Sequence, residues 1–228
     1  TIVTTVVFVL VAWLGVLVLA SPGQVISYHL GGWEPQLVPG VGKVPVGIEY
    51  RVDCLNALVL LIVAGIGAVV TPFARLSVAK EIPKDRLHFF YAVYLLCLTG
   101  LMGIAITGDA FNVYVLLEIS SLTAYALVAM GKEFERRALT AAFHYLIMGT
   151  VGASLVLLGI GYLFMVTGTL NMADMAQQLA LEPTNRTVIT AFALIIVGLS
   201  LKMGLFPLHQ WLPNAYTYAP TAVSAFMA

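Results

Sequence analysis

The sequence predicts an all-α, polytopic bundle of transmembrane helices. Two observations carry that prediction, and a third gives it chemistry. Of the 228 residues, 61% are hydrophobic and only 10% charged, against roughly 25% charged in soluble domains, and the mean hydropathy is +0.98. The apolar residues are also gathered into runs near the ~20 residues that a helix needs to cross ~30 Å of hydrocarbon. Third, a glutamate and a lysine lie deep inside two of those runs, and a glycine and a proline interrupt the second run just after the lysine.

In chain order, the predicted spans are 2–20, 54–73, 88–107, 110–130, 140–166 and 187–208, with a further helix opening near Asn214. Only Gly108 and Asp109 separate the third span from the fourth, which makes a tight hairpin, and Asp109 is placed to cap the helix that follows. The fifth run is long enough to tilt. Between the first two spans lies a stretch rich in glycine, proline and aromatic residues (Gly31, Gly32, Trp33, Pro35, Pro39, Gly40, Gly42, Pro45). Its end, residues 46–53, alternates as a strand does and predicts an extended ribbon at the membrane surface. Residues 171–182 are mildly amphipathic and predict a helix along the interface. Cys54 and Cys97 lie in apolar runs and are expected to be small buried hydrophobes.

The chain begins at Thr1, has no basic n-region, and stops inside an apolar run, so it is expected to be part of a longer protein without a signal peptide. Residues 1–53 read as an N-terminal helix plus extracytoplasmic ribbon, and 54–228 as the transmembrane domain proper. Arg75, Lys80, Lys84, Arg86, Lys132, Arg136 and Arg137 occupy two alternate loops, whereas Lys43, Arg51 and Arg186 are spread over the others. The positive-inside rule therefore puts the first group in the cytoplasm and the ribbon outside. Eleven basic side chains balance eleven acidic ones, which leaves no case for a nucleic-acid partner.

Glu118 is the ninth residue of its span, near the bilayer midplane, where a charge costs about 2.5–3.5 kcal/mol on insertion scales. Such a group is kept by facing the bundle interior and finding a partner. Ser120, Ser121 and Thr123 supply hydroxyls on the following turn. Lys202 follows some fifteen residues of apolar helix and precedes Gly204 and Pro207. Proline removes a backbone donor and clashes with the carbonyl four residues earlier, and a broken span is tolerated only in protein or beside a wet cavity. Discontinuous helices of this kind form ion sites in transporters, and lysine is a cation whose pKa falls readily on burial. His209, just past the break, suits a proton relay, as does His144 early in the fifth span. Each also has a purely structural reading. Trp211, Tyr216 and Tyr218 read as interface anchors.

The run KMGLFPLHQWLPNAYTYAPTAVSA, from Lys202 to Ala225, resembles the broken-helix signature of the antiporter-like membrane subunits, found in respiratory complex I, Mrp-type antiporters and membrane-bound hydrogenases. Asp53-Cys54-Leu55-Asn56 is similar to the start of that family's third helix, and Asp109 to Glu118 to its fifth helix with a key glutamate. The resemblance implies a fold of about fourteen helices in two inverted five-helix repeats, of which this chain holds most of the first. It also implies that Glu118 and Lys202 form the proton-handling pair, with His209 after the break. His144 falls where many members carry lysine or arginine. Tyr216 to Pro220 and Thr167 to Asp174 look more like the D-type subunits of Mrp antiporters than the complex I subunits.

The expected function is therefore proton translocation in a sodium/proton antiporter of the Mrp type. The alternatives are the pump arm of a quinone reductase or hydrogenase, or a purely structural membrane subunit. The chain carries no redox, nucleotide or metal motif, so no cofactor is expected and no enzymatic step of its own. Expected partners are other integral membrane subunits, protons, monovalent cations and lipid, in a bacterial plasma membrane.

Overall fold

In a computed structural model, the described residues are 1–20, 23, 25–38, 42–131, 136–181 and 185–228. Lys132, Pro39 and Gly40, used above in reading charge and loops, lie outside them. Six described helices are long and apolar enough to cross a membrane, by length and composition.

Helix α1 (Ile2–Ala20) leads into two small antiparallel pairs. Strand β1 (Ile26–His29) pairs with β4 (Glu49–Val52), with Tyr28 opposite Tyr50, and β2 (Gln36–Val38) pairs with β3 (Gly42–Val44). The extended ribbon read from residues 46–53 is thus present, with β4 as its last strand.

Helix α2 (Cys54–Glu81) starts at a capping box in which Asp53 accepts from the Asn56 backbone at 2.9 Å. It is eight residues longer than the apolar run predicts. Beyond Pro72 its buried face continues through Ala74 and Val78, packed on helices that come much later in the chain, so tertiary burial carries the helix past its proline. Cys54 is exposed at the start of α2, contrary to expectation, although in the same turn Asn56 donates to Ala105 O and Ala57 is buried; Cys97 is buried.

Helices α3 (Leu87–Ile106) and α4 (Ala110–Ala129) form the tight hairpin. Their backbones approach closely, since a β-carbon on Gly100 would lie 2.8 Å from the Ser120 nitrogen. Asp109 caps α4, accepting from Asn112 N at 2.7 Å. At that end the hairpin is stitched to two other segments. Gly108 N donates to Glu49 O, Ala110 N to Leu170 O, and Asn171 Nδ2 to the Glu49 carboxylate at 2.8 Å.

Helix α5 (Arg136–Thr167) is followed by the short amphipathic α6 (Met172–Leu181), then by α7 (Arg186–Met203), which lies along α5. The span read as 187–208 ends five residues early. Gly204 adopts the left-handed conformation (φ 64°) and Leu205 N donates back to Ser200 O at 3.0 Å, a helix-terminating pattern that glycine permits without strain. Helix α8 (Leu212–Tyr218) resumes after a turn, two residues before Asn214, and α9 (Thr221–Met227) begins after Pro220. The α9 start is fixed from a distance, because Thr221 N donates to the Glu81 carboxylate at 2.9 Å.

Of the four buried clusters among the described residues, the two largest flank α4. One joins the tail of α2 to α3, α4, α8 and α9, and the other joins α5, α6 and α7 to the start of α4. Glu118 lies between the two along α4.

Candidate functional site

The site is built where α4, α5 and the end of α7 meet. What brings them together is the absence of side chains. A β-carbon on Gly152 of α5 would lie 2.9 Å from the Gly198 carbonyl of α7, so the two backbones are in contact there. The same vacancy at Gly152 lets the Lys202 stem pass, its Cγ being 3.6 Å from where the β-carbon would be. Lys202 thereby reaches across α5 to α4.

Its ammonium lies 3.2 Å from Glu118 Oε1 and donates to Ser121 Oγ at 2.6 Å. Two of the three ammonium donors are used this way. The pair is mostly enclosed, with side chains 11% (Lys202) and 20% (Glu118) exposed. The two other hydroxyls expected to serve it do not. Ser120 donates to Leu117 O, and Thr123 to the Ile119 and Ser120 carbonyls. In a helix, serine and threonine readily bond back to a preceding carbonyl.

Lys202 opens onto a cavity of about 450 Å³ walled by Ser120, Ser121, Tyr145, Trp211 and Tyr216, among others. That leaves room for on the order of ten water molecules at liquid density.

Trp211 is a correction to the sequence reading. It is 4% exposed, not an interface anchor. Its ring stacks on Tyr145 with centroids 4.1 Å apart and planes 3° from parallel, and its indole N–H donates to Leu201 O at 3.0 Å. The break in α7 strips the last carbonyls of their helical donors, and Trp211 supplies one from beyond the break. Tyr216 likewise turns inward, donating to Met227 O, and Tyr218 packs partly buried against the same cluster. No local signal in the sequence marks these roles, since they pair groups brought together by the turn.

The two histidines part company with the ion pair. Because the helix does not resume in register, His209 lies in the turn rather than on the Lys202 face. Its Nδ1 is buried without a hydrogen-bond partner among the described residues, and its ring lies 5.6 Å from Phe206. His144 is exposed and lines a separate cavity of about 470 Å³ with Gln210 and Asn214. Trp211 borders both cavities, so the Tyr145–Trp211 stack stands between His144 and Lys202. The helix ends at Gly204, and Pro207 lies in the turn that follows.

The geometry has counterparts among known proteins. The chain is 45% identical over 206 residues to NADH-quinone oxidoreductase subunit N of Desulforudis audaxviator, covering 90% of this chain and 38% of that protein. It is 33% identical over 199 residues to the D subunit of the Na(+)/H(+) antiporter of Bacillus subtilis, covering 87% and 38%. Among solved structures, it matches a chain of the membrane-bound sulfane sulfur reductase, an archaeal respiratory membrane complex, with a TM-score of 0.85 and 34% identity, over 98% of this chain and 42% of that one. The chain thus spans about two fifths of the length of the proteins it matches. The order of identity differs from the sequence reading, which set the antiporter branch first. A family described as "NADH:quinone oxidoreductase/Mrp antiporter, TM" matches residues 107–228, from the turn before α4 through the ion pair, the break and α9. With its six candidate spans, the chain is a multi-pass membrane protein that belongs to the NADH:quinone oxidoreductase/Mrp antiporter transmembrane family.

Proposed function

We propose that this chain is part of a proton-translocating membrane subunit, in which Lys202 binds and releases the proton and Glu118 sets when it does so. The observation that carries this reading is the 3.2 Å pair between α4 and the broken end of α7, beside a cavity large enough for water. An enclosed ammonium is held charged by the carboxylate next to it. Drawing the two apart removes that attraction, and the proton moves on. The end of α7, where Gly204 stops the helix and Trp211 reaches back from beyond the turn, is the part that can shift to do this while the rest of the helix stays packed on α5. His209, its Nδ1 without a partner among the described residues, is the next candidate station, and His144 serves the adjoining cavity. In this reading residues 54–228 carry the translocation, and 1–53 close the extracytoplasmic side.

The subunit works among other integral membrane subunits in a bacterial plasma membrane. The 45% identity to a quinone oxidoreductase subunit favours a pump arm driven by redox partners. The 33% identity to a subunit of a sodium/proton antiporter favours exchange of sodium for protons. Purifying the native complex separates them: iron–sulfur and flavin proteins co-purify in the first case, only small hydrophobic subunits in the second.

The mechanism is tested with Glu118→Gln and Lys202→Ala in the full-length subunit, within its assembled complex in sealed vesicles. Both variants should assemble and lose proton translocation. Transport at the unaltered rate would leave the two residues as mere links between helices and sink the proposal.

A further inference from the structure

The path described so far leaves one buried polar group unexplained. Tyr125 is 5% exposed, and its hydroxyl is buried without a hydrogen-bond partner at bonding geometry among the described residues. An unpaired buried hydroxyl is destabilising, and such groups in a folded core call for a reason. The ring itself is well held, edge-on to Tyr145 with centroids 4.5 Å apart. Phenylalanine would keep that contact without burying an unpaired oxygen. The neighbouring helix also makes room for the oxygen specifically: any β-carbon at Gly149 of α5 would collide with it.

Its position supplies the reason. Glu118, Ser121 and Tyr125 stand at i, i+3 and i+7 on α4, so all three occupy one face. Ser121 accepts from Lys202, which leaves its own O–H free to donate elsewhere. One turn further on, Tyr125 is the hydroxyl that Ser121 faces. Its own proton points to no described acceptor.

Resting on the proton-translocation reading above, we propose that Tyr125 is a further relay group, taking from Ser121 the proton that Lys202 gives up. In the transfer a Lys202 N–H bond breaks as an O–H bond forms on Ser121. The proton that Ser121 held moves to Tyr125 Oη, and the proton of Tyr125 passes to a water molecule. The lysine is left neutral, both hydroxyls are restored, and one hydronium ion is formed. The stack of Tyr145 on Trp211 holds the tyrosine ring from the cavity side, so the relay is lined up with the broken helix.

The test uses the full-length subunit in its assembled complex, in sealed vesicles with a fluorescent proton indicator. Four variants are compared: Tyr125→Phe, Ser121→Ala, the two combined, and Glu118→Gln as a control. Tyr125→Phe should slow proton translocation by about a hundredfold, the lower end for loss of a proton-transfer group. Its melting temperature should be equal or higher, because an unpaired oxygen has been removed. The combined variant should be no slower than the slower single one, since both act on one path. Losses that multiply in the combined variant overturn the shared path. A lowered melting temperature with matching loss of assembled complex makes the hydroxyl structural and overturns it too. Unaltered translocation in Tyr125→Phe beside a dead Glu118→Gln overturns the relay alone. Unaltered translocation in Glu118→Gln overturns the reading beneath it.

Discussion

Lys202 Nζ and Glu118 Oε1 lie 3.2 Å apart across 84 residues of sequence, with Ser121 as the second acceptor of the same ammonium. Breaking a buried ion pair by deleting one partner costs about 3–5 kcal/mol, because a charge is left uncompensated. Here a cavity adjoins the pair and both side chains keep some exposure, so roughly half that cost is expected. Glu118→Ala and Lys202→Ala should each lower the denaturation midpoint of the detergent-solubilised protein. The double variant should lose less than the sum of the two, and a strictly additive result would show the residues to be uncoupled.

Close approach of α5 and α7 at Gly152 and Gly198 is what delivers Lys202 to α4. Gly152→Val should force the helices apart and cost about 2 kcal/mol or more, as overpacking typically does, together with loss of transport. Gly161→Ala, on the same helix with nothing within 4 Å of the added carbon, should be neutral or slightly stabilising by helix propensity. Thermal denaturation of the two variants side by side checks the claim.

Trp211→Phe keeps a ring on Tyr145 and removes the indole donor to Leu201 O. Leu201 O keeps a second donor in Gly204 N at 3.3 Å, so the expected cost is about 0.5–1.5 kcal/mol, that of one hydrogen bond. Trp211→Ala, which also empties the ring's place, should cost about 3–5 kcal/mol. If the two variants melt together, the hydrogen bond contributes nothing beyond the stack.

Asp109 lies in the turn between α3 and α4, outside the spans. Burial raises its carboxyl above the ordinary value, and the backbone N–H groups of Asn112 and Phe111 oppose that only in part. A raised folded-state value means that the folded chain holds the proton more tightly than the unfolded one. Its ionisation therefore opposes folding, with the penalty absent at acid pH and fully present once pH exceeds the folded value. Asn caps a helix about as well as Asp, so Asp109→Asn should melt with the unaltered protein in acid and above it at neutral pH. Equal melting at both pH values would refute this account of the turn.

Much of the architecture is legible in the chain itself, and for a plain reason. A span, a cap or a break is a property of residues within one or two turns of each other. The apolar runs, the Asp53 and Asp109 caps and the Gly204 stop are all local, and each is found where the sequence predicts a helix, a helix start or an interruption. The boundaries that moved are those decided by distant contacts. Helix α2 outruns its apolar stretch because its tail is buried on α9, and α9 begins at Thr221 against a carboxylate 140 residues away. Cys54 is left outside while Asn56 and Ala57 of the same turn are engaged, a difference within one turn that hydropathy does not register.

The site divides in the same way. Two charges too costly to leave unpaired in an apolar chain, and a helix broken beside one of them, are written in the sequence. Which groups meet was decided only in three dimensions. Ser121 rather than Ser120 or Thr123 reaches Lys202, since Ser120 and Thr123 are taken by carbonyls of their own helix. Trp211 goes inward to serve Leu201, and the same ring separates His144 from the lysine. Sequence periodicity assigns a residue to a face of its own helix. It does not say which other helix that face will touch, and here that follows from glycines that let α5 and α7 come together over α4.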